Sequence, residues 1–159
     1  MTKMLTVYSL RHELERRTDY LKQVQALSLD ASKPTMGLST RLGLYGSDEW
    51  WRNVERGVIP RATYAGIITE TYYAGMDSNR RHNSFRMKTD DGRDYSYGMI
   101  PENSSYNGLY RAGHRADITT IFNELKRRNA EGGPEVIETP LEIRLSTKPV
   151  AQMPALDEL

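Results

Sequence analysis

The stretch Ser84-Phe85-Arg86-Met87-Lys88-Thr89-Asp90-Asp91-Gly92-Arg93-Asp94-Tyr95-Ser96-Tyr97-Gly98-Met99 decides the fold class. Phe85 and Met87 alternate with Arg86 and Lys88, the two-residue period of a half-buried strand over 84–89. Asp90-Asp91-Gly92 reads as a hairpin turn, because glycine takes a positive φ at little cost. Asp94 to Met99 reads as the returning strand, with Tyr95 and Tyr97 on one face.

The period of two extends to both sides. Thr63 to Ala74 is rich in β-branched and aromatic residues, the composition of a strand. Ala65, Ile67, Thr69, Thr71 and Tyr73 are expected on one face, and Gly66, Ile68, Glu70 and Tyr72 on the other. Gly66 reads as a bend or bulge. Residues 101–107 read as a polar loop. Ala116 to Phe122 reads as a fourth strand, and charged Asn123 to Glu131 as a helical turn or loop. Val136 to Leu145 reads as a fifth strand, broken or at an edge because of Pro140. The fold class expected is α+β: N-terminal helices followed by a small five-stranded antiparallel, partly open β-barrel, OB-like or SH3-like in layout.

Upstream the period is helical. Residues 9–29 read as one helix with Ser9 as N-cap. Val7, Leu14 and Leu21 recur every seven residues, Leu10 and Val24 fall on the matching positions, and Arg17 interrupts the second row. The pattern suits an amphipathic helix packed on its own domain or a helix pair across a dimer. Ser47 to Gly57 carries a complete set of helix signals. Ser47 is the N-cap, Asp48 and Glu49 fill the first turn, and Gly57 and Pro60 follow the end. Trp50 and Val54 share a face and are expected to be buried. Trp51 points about 100° away and is expected to be at least partly exposed. The expected division is residues 1–30, helix; 31–60, linker and tryptophan helix; 61–146, barrel; and 147–159, tail. Val150, Met153, Leu156 and Leu159 in the tail recur at intervals of three.

The 159 residues are 38% hydrophobic and 27% charged, which suits a packed domain rather than a disordered chain. No apolar run reaches the ~20 residues needed to span a bilayer, so no membrane partner is expected. Arg11 and Glu13 come too early for a secretory apolar region. The absence of cysteine excludes disulfides and thiol nucleophiles, and suits a cytoplasmic, reducing compartment.

Catalytic patterns are missing. His12, His82 and His114 do not form a metal-binding pair at helical spacing, and no phosphate loop or nucleophile elbow occurs. Asp90 and Asp91 are adjacent carboxylates, but a turn favours aspartate for backbone reasons. No catalytic residue, metal site or cofactor is predicted. A non-enzymatic protein is expected.

Two clusters point to binding. The first is Trp51 and Arg52, residue types frequent at interface hot spots, together with Leu10, Leu14, Leu21 and Val24 on the leading helix. The second is Tyr72, Arg80, Arg81, Arg86, Lys88, Arg93, Tyr95 and Tyr97. Tyrosines for base stacking beside arginines for phosphates would suit single-stranded nucleic acid. A net charge of +1 gives no chain-wide attraction to phosphates. The leading expectation is a binding or assembly protein of accessory or inhibitor type, acting on a protein partner or on itself. Nucleic-acid binding is the alternative.

Overall fold

A computed structural model of the protein describes residues 2–75, 82–100 and 104–151. Its elements in chain order are β1 (Met4–Ser9), α1 (Leu10–Arg16), α2 (Thr18–Leu29), α3 (Asp48–Glu55), β2 (Arg61–Tyr72), β3 (Ser84–Thr89), β4 (Asp94–Gly98), a 3-10 helix (Ser104–Leu109) overlapping the expected loop, β5 (Arg115–Arg128) and β6 (Pro134–Ser146). The strands form one open sheet ordered β1-β6-β5-β2-β3-β4. The α+β class stands. The sheet has six strands where five were expected, and its order does not identify an OB or SH3 barrel.

The extra strand is β1. Met4 lies opposite Ser146 and Ser9 opposite Glu142, with a register shift between Thr6 and Tyr8. Ser9 therefore ends a strand and directly precedes α1, so the helical segment starts at Leu10. The expected single helix is also two, because Arg17 leaves helical geometry at φ −111° and ψ 56°. The seven-residue row thus starts in a strand at Val7 and crosses a helix break. Among the described residues no continuous heptad helix exists to pair across a dimer.

The chain divides into two compact units: Met1–Ser9, Thr63–Ile118 and Glu142–Leu159 form one, and Leu10–Ala62 with Thr119–Leu141 form the other. In the first unit the 84–99 hairpin follows the expected plan. Phe85 and Met87 are fully buried, Arg86 and Lys88 are exposed, and Gly92 turns the chain at φ 88°. Val7, Ile68, Ile118, Ile143 and Leu145 complete the apolar interior.

β2 departs from simple alternation. Its register against β3 shifts between Ile68 and Glu70. The extra residue places Ile68 opposite buried Met87 but Glu70 opposite exposed Arg86. Ile68 and Glu70 therefore lie on opposite faces, against the expectation. The bulge falls at Thr69, whose hydroxyl donates to the Arg86 carbonyl at 3.1 Å. Gly66 serves a different purpose from a bend. A Cβ there would stand 2.0 Å from the Lys88 carbonyl oxygen, so the strands approach only because the side chain is missing.

In the second unit Leu10, Leu14, Tyr45, Trp50, Val54, Ile59 and Ile121 are buried. β5 runs on to Arg128 where a turn or loop was expected after Phe122. In this extension Asn123, Glu124 and Lys126 find partners, so burial costs them little. The Lys126 ammonium donates to the carbonyls of Leu27, Asp30 and Lys33 at 2.6, 3.2 and 3.1 Å, binding the carbonyl end of α2 and the turn beyond it. The 134–146 strand is not broken at Pro140. Pairing of β6 with β1 ends at Glu142, so the missing Pro140 N–H breaks no bond in that ladder.

Candidate protein-binding surface

The surface is built on α3. Ser47 Oγ accepts the Trp50 N–H at 3.2 Å, and Gly57 leaves the helix at φ 75°. Capping of this kind lets an eight-residue helix hold its ends. The preceding loop fits tightly over it. A Cβ on Gly43 would lie 2.8 Å from Trp50 N, and Asn53 Nδ2 donates to the Leu42 carbonyl at 3.0 Å.

Trp50 points inward and is 3% exposed. Its ring meets Tyr45 edge-on at 4.8 Å, and its Nε1 donates to Asn123 Oδ1 at 3.2 Å. Asn123 Nδ2 in turn donates to Thr139 Oγ1 at 3.0 Å. Burial of Trp50 with Val54 agrees with the sequence expectation.

Trp51 points outward and is half-buried. It meets Trp50 edge-on at 4.8 Å, and the Arg11 guanidinium lies 4.1 Å above its ring. Arg11 also reaches Glu55 at 3.1 Å. Trp51 is thus held between a buried ring and a cation, with part of the indole left in solvent. Arg52 and Arg56 are exposed on the same helix.

The other predicted interface residues are drawn inward. Leu10 and Leu14 are 3% and 4% exposed, so the chain's own core takes them up and they offer no surface. Leu21 and Val24 are half-buried, and a Cβ on Gly46 would lie 2.8 Å from Leu21 Cδ1.

The tyrosine and arginine cluster comes apart. In β3 and β4, Tyr97 pairs with Phe85 and Tyr95 with Met87, while Ser96 pairs with Arg86 and Asp94 with Lys88. Directly paired residues share a face. Tyr95 and Tyr97 therefore lie on the face of Phe85 and Met87, opposite Arg86 and Lys88. Tyr64 stacks on Tyr95 at 4.1 Å, and Tyr95 lies 5.9 Å from Tyr97. Tyr72 is on the basic face, but the Arg86 guanidinium covers it at 4.8 Å. Arg86 pairs with Glu70, Lys88 with Asp94 at 3.5 Å, and Arg93 with Asp91 at 2.9 Å. These three cations are matched by acids, and among the described residues no aromatic row stands beside them to stack bases. Arg80 and Arg81 lie outside the described residues, as do Met153, Leu156 and Leu159 of the tail.

The turn carboxylates are also committed. Asp90 accepts two hydrogen bonds from Arg115, at 2.8 and 3.1 Å, which hold it below the usual carboxylate range. Asp91 is lowered by the Thr89 hydroxyl and by Arg93. Two ionised, paired acids do not make a proton donor. Buried His114 directs Nδ1 at the Ser146 carbonyl at 2.8 Å, and His82 meets Thr71 Oγ1 at 2.7 Å. Among the described residues no three His, Asp or Glu side chains gather to hold a metal ion. No helix of the described residues is long and apolar enough to cross a membrane.

Residues 4–146 match the family described as Immunity protein RhsI2. The chain belongs to the RhsI2 family. No curated protein matches it. An immunity family is one of inhibitor-type proteins acting by protein contact. That agrees with the expected non-enzymatic binding protein and gives no support to nucleic-acid binding or self-association.

The matched span of the RhsI2 family begins at Met4, the first residue of the strand that sequence reasoning missed. Leu5-Thr6-Val7-Tyr8 carried the β-branched and aromatic signal for it, but the longer helical pattern that follows absorbed these residues. Arg11 was missed as a site residue for another reason. Its contact with Trp51 spans 40 positions, and nothing local to either residue announces it.

Proposed function

We propose that this RhsI2-family protein is an immunity protein that neutralises its cognate toxin by direct binding in the cytoplasm, with Trp51 and Arg52 of α3 at the contact. The observation that carries the reading is the family match over residues 4–146. Its support at residue level is the Trp51 indole, held half-exposed by Arg11 and Trp50. A large ring fixed before binding loses little side-chain freedom on association. Tryptophan and arginine are also the residues on which interface energy concentrates.

The test is co-expression with the cognate toxin domain, followed by affinity purification and a growth assay. The wild-type chain is expected to co-purify with the toxin and to protect the cell. Trp51→Ala or Arg52→Glu is expected to weaken the complex by at least tenfold, about 1.4 kcal/mol or more. A wild-type chain that neither binds nor protects removes the reading. Full binding by both variants moves the contact away from α3.

A further inference from the structure

We propose that the C-terminal half of α3 receives an acidic segment of the protein partner, gripped by the Arg52 and Arg56 guanidiniums beside Trp51. The proposal rests on the toxin-neutralising reading, whose surface it shares, and adds the chemistry of the partner.

Many arginines of the chain spend their charge on its own acids. Arg16 and Arg17 contact Glu13, Arg41 contacts Glu124, Arg86 contacts Glu70, Arg115 contacts Asp90 and Arg127 contacts Glu135. Arg52 and Arg56 differ from these, as exposed Arg111 and Arg144 do, but they alone of the four lie one turn apart at one helix end. Neither side chain makes an ion pair or hydrogen bond among the described residues. Glu55 is three residues from Arg52 and within reach of it on a helix, yet Arg11 engages it. Arg11 therefore does two things: it covers one face of Trp51, and it engages Glu55, one of the acids within a turn of Arg52.

Spacing makes the two cations a pair. The Arg56 N–H donates to the Arg52 carbonyl at 3.0 Å, so the residues stand one turn apart on one side of the helix. Side chains four positions apart start about 6 Å from one another. Two forked guanidiniums at that separation match two carboxylates on adjacent turns or alternate strand positions of a partner. Half-buried Trp51 and Val58, 48% exposed, supply apolar contact beside them. Asp48 and Glu49 occupy the first turn. Their repulsion directs an acidic segment toward the other half of the helix.

The probe is a fluorescein-labelled decaglutamate peptide, titrated with the full chain and read by anisotropy, with decalysine as its counterpart. Decaglutamate is expected to bind, decalysine not. Raising salt from about 0.05 M to about 0.5 M is expected to weaken binding, since exposed ion pairs are screened. The double variant Arg52→Gln, Arg56→Gln is expected to lose about tenfold in affinity. Arg144→Gln, at an exposed arginine on β6, is expected to bind as wild type. An unchanged double variant, or an equal loss in Arg144→Gln, overturns the proposal. A toxin complex indifferent to salt and to the double variant overturns it while leaving the toxin reading intact. If no toxin is captured, that reading falls, and the decaglutamate titration alone decides the arginine pair.

Discussion

Trp50 on α3 donates its indole N–H to the Asn123 side chain on β5 at 3.2 Å, and both residues are buried. The bond connects the most legible helix in the sequence to a strand segment that local signals assign to a turn. Trp50→Ala should cost ~3–5 kcal/mol, because a large apolar ring leaves a cavity. Trp50→Phe should cost less but strand the Asn123 oxygen, a penalty of about 1–3 kcal/mol. Trp51→Ala should cost only about 1 kcal/mol, the scale of an exposed cation–π contact. Urea denaturation followed by circular dichroism measures all three. Equal losses at Trp50 and Trp51 would mean that the two faces of α3 are assigned wrongly.

Lys126 closes the carbonyl end of α2 through three backbone oxygens. Lys126→Met keeps the side-chain stem and removes the charge. The expected loss is ~1.5–3 kcal/mol, the range for a hydrogen bond to a charged group. Faster amide hydrogen exchange at the end of α2 would localise it. Unchanged exchange there would show that water replaces the ammonium without cost.

Stability should fall at both ends of the pH scale. Arg41 forks onto Glu124 at 2.8 and 2.9 Å and lowers its pKa, as Arg115 lowers that of Asp90. A lowered folded pKa gives stability that is present above the unfolded value of about 4 and lost as pH falls through the folded one. At the other end, burial pushes Tyr110 up to about 12. A raised folded pKa gives stability that is present below the unfolded value of about 10 and lost as pH rises toward 12. Melting temperature against pH is the measurement. Arg41→Gln should flatten the acid limb and Tyr110→Phe the alkaline limb. A limb unchanged in its variant would assign it to other groups.

Labelled single- and double-stranded oligonucleotides should not bind appreciably at moderate salt. The acids that pair with Arg86, Lys88 and Arg93 leave little net charge for phosphates. Fluorescence anisotropy across a salt series checks this. Steeply salt-dependent binding, lost in Arg86→Ala, would restore the strand face as a nucleic-acid site.

Local rules were enough for the 84–99 hairpin and for α3. Alternation of Phe85 and Met87 with Arg86 and Lys88, glycine at position 92, and Ser47 three residues before Trp50 each act within one turn or one strand pair. Such signals need no knowledge of the rest of the chain. Conversely, the seven-residue row from Val7 to Leu21 misled. A hydrophobic period records which residues seek burial, and here that burial comes from a strand, a helix and a second helix in succession.

The tertiary structure alone decided the remainder. Pairing with the distant segment 142–146 makes 4–9 a strand. Asn123, Glu124 and Lys126 remain extended because Trp50, Arg41 and the end of α2 satisfy them from far along the chain. One extra residue at Thr69 sends Glu70 to the solvent face, and the β3–β4 register separates Tyr95 and Tyr97 from Arg86 and Lys88. The candidate surface divides in the same way. The types and spacing of Trp51 and Arg52 are written in eight consecutive residues, whereas the cation over the indole comes from Arg11. Register and partnership join residues tens of positions apart, and no local propensity encodes them.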